Sequence, residues 1–370
     1  MKLLYLSNAL LPSKTANSVH VMKMAEALVK HCDVTVVASR VKDTDSQAIF
    51  AYYDVQPTFK IQFVKTRHFK GASLLNAWVY YRAIKKIRPD VIYSRHLGAL
   101  MSHRYMYLPI FYESHQPRLE GKYHRLESKL FKNPMFKKLI VITKALEQIY
   151  LKGYPSLEGH TVVLPDAANI PKTTNQTNVT DKETLTIGYV GHLYQGRGID
   201  LILELAKHFS EIDFLIVGGE EQDVAYWRRM SAELKNIHFA GFVDQKTLPS
   251  YYQKMDIVLA PYQQKVSVAG NKNIDTSQWM SPLKIFEYMA YKKAIIASNL
   301  PVLEEVLVHE HNAILCSPID VESWKNAIDR LVEDQTLRLE LSKEAYQTLN
   351  HSYTWDKRAS QVIQLIQKNG

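Results

Sequence analysis

Within SPLKIFEYMA, residues 281 to 290, helix-start residues are followed by a lysine and a glutamate three positions apart. Ser281 reads as an N-cap, and Pro282 suits the first helical turn because its φ is already set and it has no N–H to lose. The backbone N–H groups of Leu283 and Lys284 then lack intrahelical partners, and the positive end of the helix dipole lies with them. Such a tip attracts an anion. Lys284 can bring a mobile charge to that anion, at about 1.5–3 kcal/mol for a charge-assisted hydrogen bond. Glu287 lies one turn deeper on the same face. A carboxylate there would repel a phosphate, but it can accept two hydrogen bonds from the vicinal hydroxyls of a ribose. Diphosphate at the tip and ribose below it is the layout of a bound nucleotide. The competing reading is an exposed Lys284–Glu287 ion pair, worth only a few tenths of a kcal/mol.

A second anion-binding candidate is YVGHLYQGRGIDLI, residues 189 to 202. Gly191, Gly196 and Gly198 let the backbone approach a ligand closely, and Arg197 stands just before a helix, where its guanidinium can fork onto phosphate oxygens. The spacing matches neither the dinucleotide fingerprint nor a Walker A loop. A purely structural turn is the alternative.

Short apolar runs alternate with amphipathic segments of helical length and would position these residues. Met1–Ser7 reads as a strand, a helix follows from about Ser18 with Val21, Met24, Ala25 and Leu28 on one stripe, and Asp33–Ala38 is the next strand. Further strands are expected at Ile61–Val64, Val91–Tyr93, Ile110–Tyr112, Leu139–Ile142 and Thr161–Leu164. A polar stretch without periodicity, residues 170 to 183, interrupts the pattern. It restarts with strands at Thr184–Val190, Phe214–Val217, Ile237–Phe239, Ile257–Ala260, Ala294–Ala297 and Ala313–Cys316. The expected fold is therefore α/β, two Rossmann-like doubly wound domains facing a cleft. Their expected bounds are 1–170 and 184–352, joined by a linker at 171–183 and followed by a helix at 353–370. Ligands of such sheets bind beyond the carboxyl ends of the strands.

The 370 residues carry a net charge of +9, shared unevenly: 25 Lys/Arg against 12 Asp/Glu through Ile170, and 21 against 25 thereafter. The basic half interleaves its charges with Phe, Tyr, Trp and Leu in residues 59–88 and 118–138, a composition suited either to anionic lipid or to solvated helix faces. No nucleic-acid-reading motif accompanies the charge. Two cysteines form no disulfide framework and have no metal spacing, which fits a reducing compartment. No run reaches the ~18 apolar residues of a spanning helix, so the expected location is cytoplasmic, with contact at the inner face of the membrane.

Taken together, GHLYQGRG, FLIVGGEEQD, IHFAGFVDQKTLPSYYQKMDIVLAPY, SPLKIFEYMAYKKAIIASNLPVLEEV and SYTWDKRASQVIQLI resemble, in order and spacing across residues 184–366, the donor-binding half of retaining GT-B glycosyltransferases of family 4. RPDVIYSRH (88–96) and IFYESHQPR (110–118) are similar to strands of the same family's acceptor-side domain. The resemblance implies that Arg197 and Lys284 hold the donor diphosphate, with Gly191, His192, Ser281, Pro282 and Leu283 around it, and that Glu287 takes the ribose. It implies that His115 contacts the donor sugar, with Glu113 on the same strand face. The loop NALLPSKTANSVH (8–20) would offer Ser13, Asn17 and Ser18 to donor or acceptor, although Ala16-Asn17-Ser18 replaces the usual glycine pair. Trp279 stands where the family carries a sugar-binding glutamate, a departure at the position that contacts the donor sugar. The family's C-terminal helix crosses back to the first domain.

Weaker candidates are Asp43-Thr44-Asp45, which spells a metal-binding D-x-D in a remote loop, the histidines 96, 103 and 115, and the sequons at Asn175 and Asn178. No metal and no cofactor are expected. The resemblance implies transfer of a hexose or N-acetylhexosamine from a UDP- or GDP-linked sugar, with retention, to a lipid-linked or glycan acceptor. A sugar-nucleotide epimerase or hydrolase on the same scaffold, or a non-catalytic sugar-nucleotide-binding protein, are the alternatives.

Overall fold

The computed structural model describes residues 1–41, 44–67, 72–101, 107–171, 185–267 and 274–370. The chain forms two compact units, Met1–Pro165 with Trp355–Gly370, and Asp166–Thr354.

The first unit holds seven strands, β1 (Lys2–Leu11), β2 (Asp33–Arg40), β3 (Lys60–Phe63), β4 (Val91–Ser94), β5 (Ile110–Ser114), β6 (Phe136–Val141) and β7 (Thr161–Val163), in the order β3-β2-β1-β4-β5-β6-β7. Every pairing is parallel. Its helices are α1 (Ala16–Leu28), α2 (Ser46–Tyr52), α3 (Ala72–Ile87), α4 (Gly121–Phe131) and α5 (Lys144–Gly153). The strands β4 and β5 are buried throughout, as a sheet covered on both faces requires.

The second unit repeats the plan with β8 (Thr186–Val190), β9 (Asp213–Val217), β10 (Ile237–Gly241), β11 (Ile257–Ala260), β12 (Ala294–Ser298) and β13 (Ile314–Cys316), ordered β10-β9-β8-β11-β12-β13. Its helices are α6 (Ile199–His208), α7 (Glu221–Met230), α8 (Leu248–Lys254), α9 (Leu283–Ala290), α10 (Pro301–Glu304), α11 (Val321–Glu333) and α12 (Gln335–Ser352). In each sheet the order reverses beside the unit's first strand, at β1/β4 and at β8/β11. Those are the places where an open parallel sheet leaves a crevice at its carboxyl edge.

Three details depart from the sequence reading. The first strand runs to Leu11 rather than Ser7, its pairing with β2 shifting between Leu6 and Leu10, and α1 starts at Ala16 because the Thr15 hydroxyl accepts the Ser18 N–H. The unit boundaries fall at 165/166 and 354/355 rather than at 170 and 352. Within the second unit, the Ala168 N–H donates to the Tyr353 carbonyl at 3.1 Å and Ala168 bridges Thr354, which ties residues 166–168 to that unit. Residues 172–184, most of the expected linker and both sequons, lie outside the described residues. Finally, Ser281 does not cap α9. Pro282 occupies the cap position without a side-chain hydrogen bond, and the Ser281 hydroxyl instead accepts the Asp166 N–H at 3.1 Å.

The closing helix α13 (Trp355–Asn369) belongs to the first unit and packs against α1, burying Trp355, Arg358, Ala359, Val362, Ile363 and Ile366. In the second unit a side chain of α9 hydrogen-bonds directly to the sheet. The Tyr288 hydroxyl accepts the Val190 N–H at 2.9 Å and donates to the Leu259 carbonyl at 3.1 Å, joining the carboxyl ends of β8 and β11 at the strand-order reversal. Tyr288→Phe leaves a buried N–H and a buried carbonyl short of a partner, so a loss of about 1–3 kcal/mol in unfolding free energy is expected. Urea titration measures it, and a loss inside the error of the fit would mean that α9 is held by packing alone.

Candidate functional site

The loop after β8 and the first turn of α9 converge on Lys284. Gly191 has φ 146°, and a Cβ built there would stand 3.1 Å from both Cε and Nζ of Lys284, so the absent side chain is what leaves room for the amine. The Lys284 Nζ sits 3.8 Å above the centre of the Tyr189 ring and 4.9 Å from that of Tyr262, and Arg197 lies 5.2 Å from the Tyr262 ring. Aromatic faces attract a cation, but they offer no oxygen to accept its N–H groups. The side chain is buried, and Nζ has no hydrogen-bond acceptor among the described residues. Burial holds the lysine well below its ordinary ionisation range, the Arg197 charge pushes the same way, and Glu287 opposes them. Burial also pushes the Tyr262 hydroxyl up to about 12, against the pull of Arg197.

The other expected donor residues fall around this amine. Pro282 and Leu283 are half-buried at the start of α9. His192 stacks on Tyr194 with ring centres 4.7 Å apart, and the Tyr189 hydroxyl donates to the His192 carbonyl at 2.6 Å. Glu287 is half-buried one turn along and accepts from the Tyr252 hydroxyl at 3.0 Å. It is therefore not spent on an exposed i, i+3 pair with Lys284. Trp279 is half-buried four residues before the α9 helix.

In the first unit a different kind of cluster sits at the carboxyl ends of β4 and β5. Glu113 is buried, and its Oε1 lies 2.5 Å from His115 Nε2, 3.1 Å from His20 Nε2 and 3.6 Å from Arg95 Nε. Its Oε2 accepts from the Tyr93 hydroxyl and lies 3.1 Å from an Arg358 terminal nitrogen. Arg358 comes from α13 and also donates to the carbonyls of Pro165 at 2.9 Å and Leu164 at 3.2 Å. Burial, with Arg95 adding to it and Glu113 opposing, keeps His20 neutral well below the ordinary histidine range. The loop that carries His115 is braced from below: Ser114 shares a 2.8 Å hydrogen bond with Tyr150, whose hydroxyl donates to Glu127 at 2.8 Å.

Among the proposed loop residues, Ser18 is buried and its hydroxyl donates to the carbonyls of Ser13 and Thr15, both at 2.8 Å, while Ser13 donates to Ser18 at 3.0 Å. These two hydroxyls organise the turn. Asn17 is half-buried, and its side-chain amide donates to Asn8 Oδ1 at 3.4 Å. Asp45 of the D-x-D caps α2 by accepting from the N–H groups of Gln47 and Ala48; Asp43 and His103 lie outside the described residues. Burial and Arg118 lower His96 to about 4, which suits a core imidazole. Sequence reasoning passed over Tyr189, Tyr262, His20, Arg95 and Arg358. Only Arg358 left a trace, a basic residue on the apolar stripe Trp355–Ala359–Val362–Ile366.

Residues 172–348 match the family model of glycosyl transferases group 1, and residues 18–170 match that of glycosyltransferase family 4. The chain belongs to family 4 of the glycosyltransferases, and its architecture is GT-B. It is 23% identical over 193 residues to an uncharacterised glycosyltransferase of Methanocaldococcus jannaschii, covering 50% of this chain and 46% of that one. It is 24% identical over 216 residues to the phosphatidyl-myo-inositol mannosyltransferase of Mycolicibacterium smegmatis, covering 55% and 52%. The chain thus spans about half the length of the curated relatives it matches. Among solved structures, the Anabaena protein HepE in complex with UDP superposes with a TM-score of 0.75 over 100% of both chains at 14% identity.

Burial and Arg197 push this amine toward its neutral form, and a dianion arriving beside it pushes the other way, so binding draws in a proton. Between its ionisation in the free protein and its higher value beside the anion, Lys284 should make the affinity for a nucleoside diphosphate fall as pH rises. Calorimetry above about pH 7.5, where the terminal phosphate has lost its second proton, in buffers of different ionisation enthalpy should show net uptake that Lys284→Met abolishes. Uptake near zero in the unaltered protein would mean that the amine is already charged.

Proposed function

We propose that the protein transfers a sugar from a nucleoside-diphosphate sugar to an acceptor, with retention at the anomeric carbon. The observation that carries this reading is Lys284, a buried amine on aromatic faces beside a glycine loop, with no hydrogen-bond acceptor among the described residues. A phosphate is the kind of group that supplies both the charge and the acceptors it lacks. In transfer, the bond to the leaving diphosphate breaks and negative charge grows on its oxygens. Lys284, Arg197 and the first N–H groups of α9 stabilise that growing charge more than the charge of the intact donor. Glu287 takes the ribose hydroxyls, and His115 engages a hydroxyl of the transferred sugar. Departing phosphate assists attack on the same face of the sugar, so no second carboxylate is called for. The donor base is uracil or guanine and the sugar a hexose or N-acetylhexosamine, with Trp279 presenting an aromatic surface where family members offer a carboxylate.

Lys284→Ala and Arg197→Ala should each lower kcat/KM by about 10²-fold or more, the scale of losing one preorganised donor. Near-normal turnover in both would remove the phosphate assignment. Incubation with UDP- and GDP-sugars without acceptor separates transfer from hydrolysis or epimerisation, since only the latter two release free sugar or an isomer, and NMR of the product's anomeric proton reads retention directly.

We further propose that the acceptor is lipid-linked and is met at the cytoplasmic face of a membrane. On α3, Leu74 is 75% exposed and Trp78 55%, with Leu75 exposed beside them, and Arg82, Lys85 and Lys86 follow on the exposed side. No helix among the described residues is long and apolar enough to cross a membrane. Apolar residues at one end of a helix and cations at the other suit a peripheral seat on anionic lipid, at about 1 kcal/mol per basic residue near the surface. Co-sedimentation with vesicles containing phosphatidylglycerol should be lost in Trp78→Ser and weakened by salt. Equal binding to neutral vesicles, or none to either, would remove this part of the reading.

A further inference from the structure

We propose that Glu113 is a positioning residue for His115: its buried carboxylate, pinned by Arg358 of α13 and by Arg95, fixes which imidazole nitrogen carries the proton and which way the ring points. An ionised carboxylate only accepts hydrogen bonds. A ring nitrogen 2.5 Å from Glu113 Oε1 therefore carries hydrogen, and this holds whether His115 is neutral or charged. Any further proton chemistry of the ring passes through Nδ1. The carboxylate cannot drift, because its other oxygen is held by the Tyr93 hydroxyl and by Arg358 at 3.1 Å. Arg358 is itself fixed by the carbonyls of Leu164 and Pro165 and is 2% exposed. His20 sets the remaining wall, edge-on to His115 with ring centres 5.0 Å apart and edge-on to Trp355 at 4.8 Å.

The chain of contact thus runs from α13 through Arg358 and Glu113 to His115, entirely within the first unit. One carboxylate faces two guanidiniums there, so a buried negative charge is retained at the point where a histidine needs an acceptor. Ion pairs of this kind are weak evidence for stability, because an apolar replacement of the whole group often folds as well. A positional role accounts for keeping the carboxylate.

This inference rests on the reading that His115 acts on the donor sugar, and the experiment separates the two. In Glu113→Gln, kcat should fall about 10²-fold, the scale of a misplaced reacting group, with the dissociation constant for the nucleoside diphosphate unchanged. In the His115→Ala background the same substitution should cost nothing further. Long-range proton–nitrogen correlation spectra should show the His115 Nε2–H signal in the unaltered protein and a second tautomer in Glu113→Gln. If His115→Ala itself turns over normally, the assignment of His115 fails. If His115→Ala is crippled but Glu113→Gln keeps both its rate and a single tautomer, the positioning role fails alone. An equal loss from Glu113→Gln in both backgrounds would mark the carboxylate as a structural brace and also overturn the proposal. Should Glu113→Gln not fold, Arg358→Gln, which leaves Glu113 with Arg95, is put through the same cycle and read the same way.

Discussion

A charge removed from water must find a partner or change its ionisation, and the two units meet that constraint in opposite ways. The first surrounds the Glu113 carboxylate with Arg95, Arg358, the Tyr93 hydroxyl and two histidines, so its buried charge has counterions within the unit. The second buries Lys284 against Tyr189 and Tyr262 with Arg197 nearby, and holds it toward the neutral amine. One cluster is complete as it stands. The other leaves an amine without acceptors among the described residues, which an anion supplies in the proposed function. That contrast assigns rigidity to the first site and ligand-dependent charge to the second.

Both clusters owe their place to strand order. In each sheet the unit's first strand has neighbours reached by chain connections leaving in opposite directions, so loops part at its carboxyl end. Backbone can then approach a ligand only where side chains stand aside. Gly191 meets that condition at β8, and the Tyr288 hydroxyl spans the ends of β8 and β11 so that the first turn of α9 arrives at the same spot. In the first unit the equivalent edge is occupied by polar side chains of β4 and β5, closed over by α1 and α13.

The alternation of apolar runs with amphipathic segments shows both sheets in the sequence, because β11 and the first three residues of β4 and β5 are buried on both faces and read as apolar runs. Local sequence also places Lys284 and Glu287 on one helical face. It misplaces the cap: Ser281 has the right chemistry for α9, but Asp166, 115 residues away, takes its hydroxyl. The same distance hides the rest of each site. Tyr189 and Tyr262 read as ordinary strand-end aromatics until folding sets their rings under an amine. Glu113 and His115 are two residues apart and could be joined by strand alternation, whereas Arg358 lies 245 positions beyond Glu113 and follows no local period. Propensity reports what a residue favours in its own turn or strand. It is silent on which distant group will claim the side chain.

The distance from Glu113 to Arg358 also orders the assembly of the first unit. Residues 1–165 contain the sheet, Glu113, Arg95 and both histidines, so the strands can pair with one guanidinium already beside the carboxylate. The second guanidinium, which also takes the Leu164 and Pro165 carbonyls, arrives only when α13 docks on α1 after the whole second unit has been made. Until then the Leu164 and Pro165 carbonyls lack their Arg358 partner, and the carboxylate has the Tyr93 hydroxyl and Arg95 but not its second guanidinium. Docking of α13 is therefore driven by more than the burial of Trp355, Val362 and Ile366. The helix supplies the cation that completes the site, so the His115 cluster reaches its final geometry only when both segments of the first unit are in place.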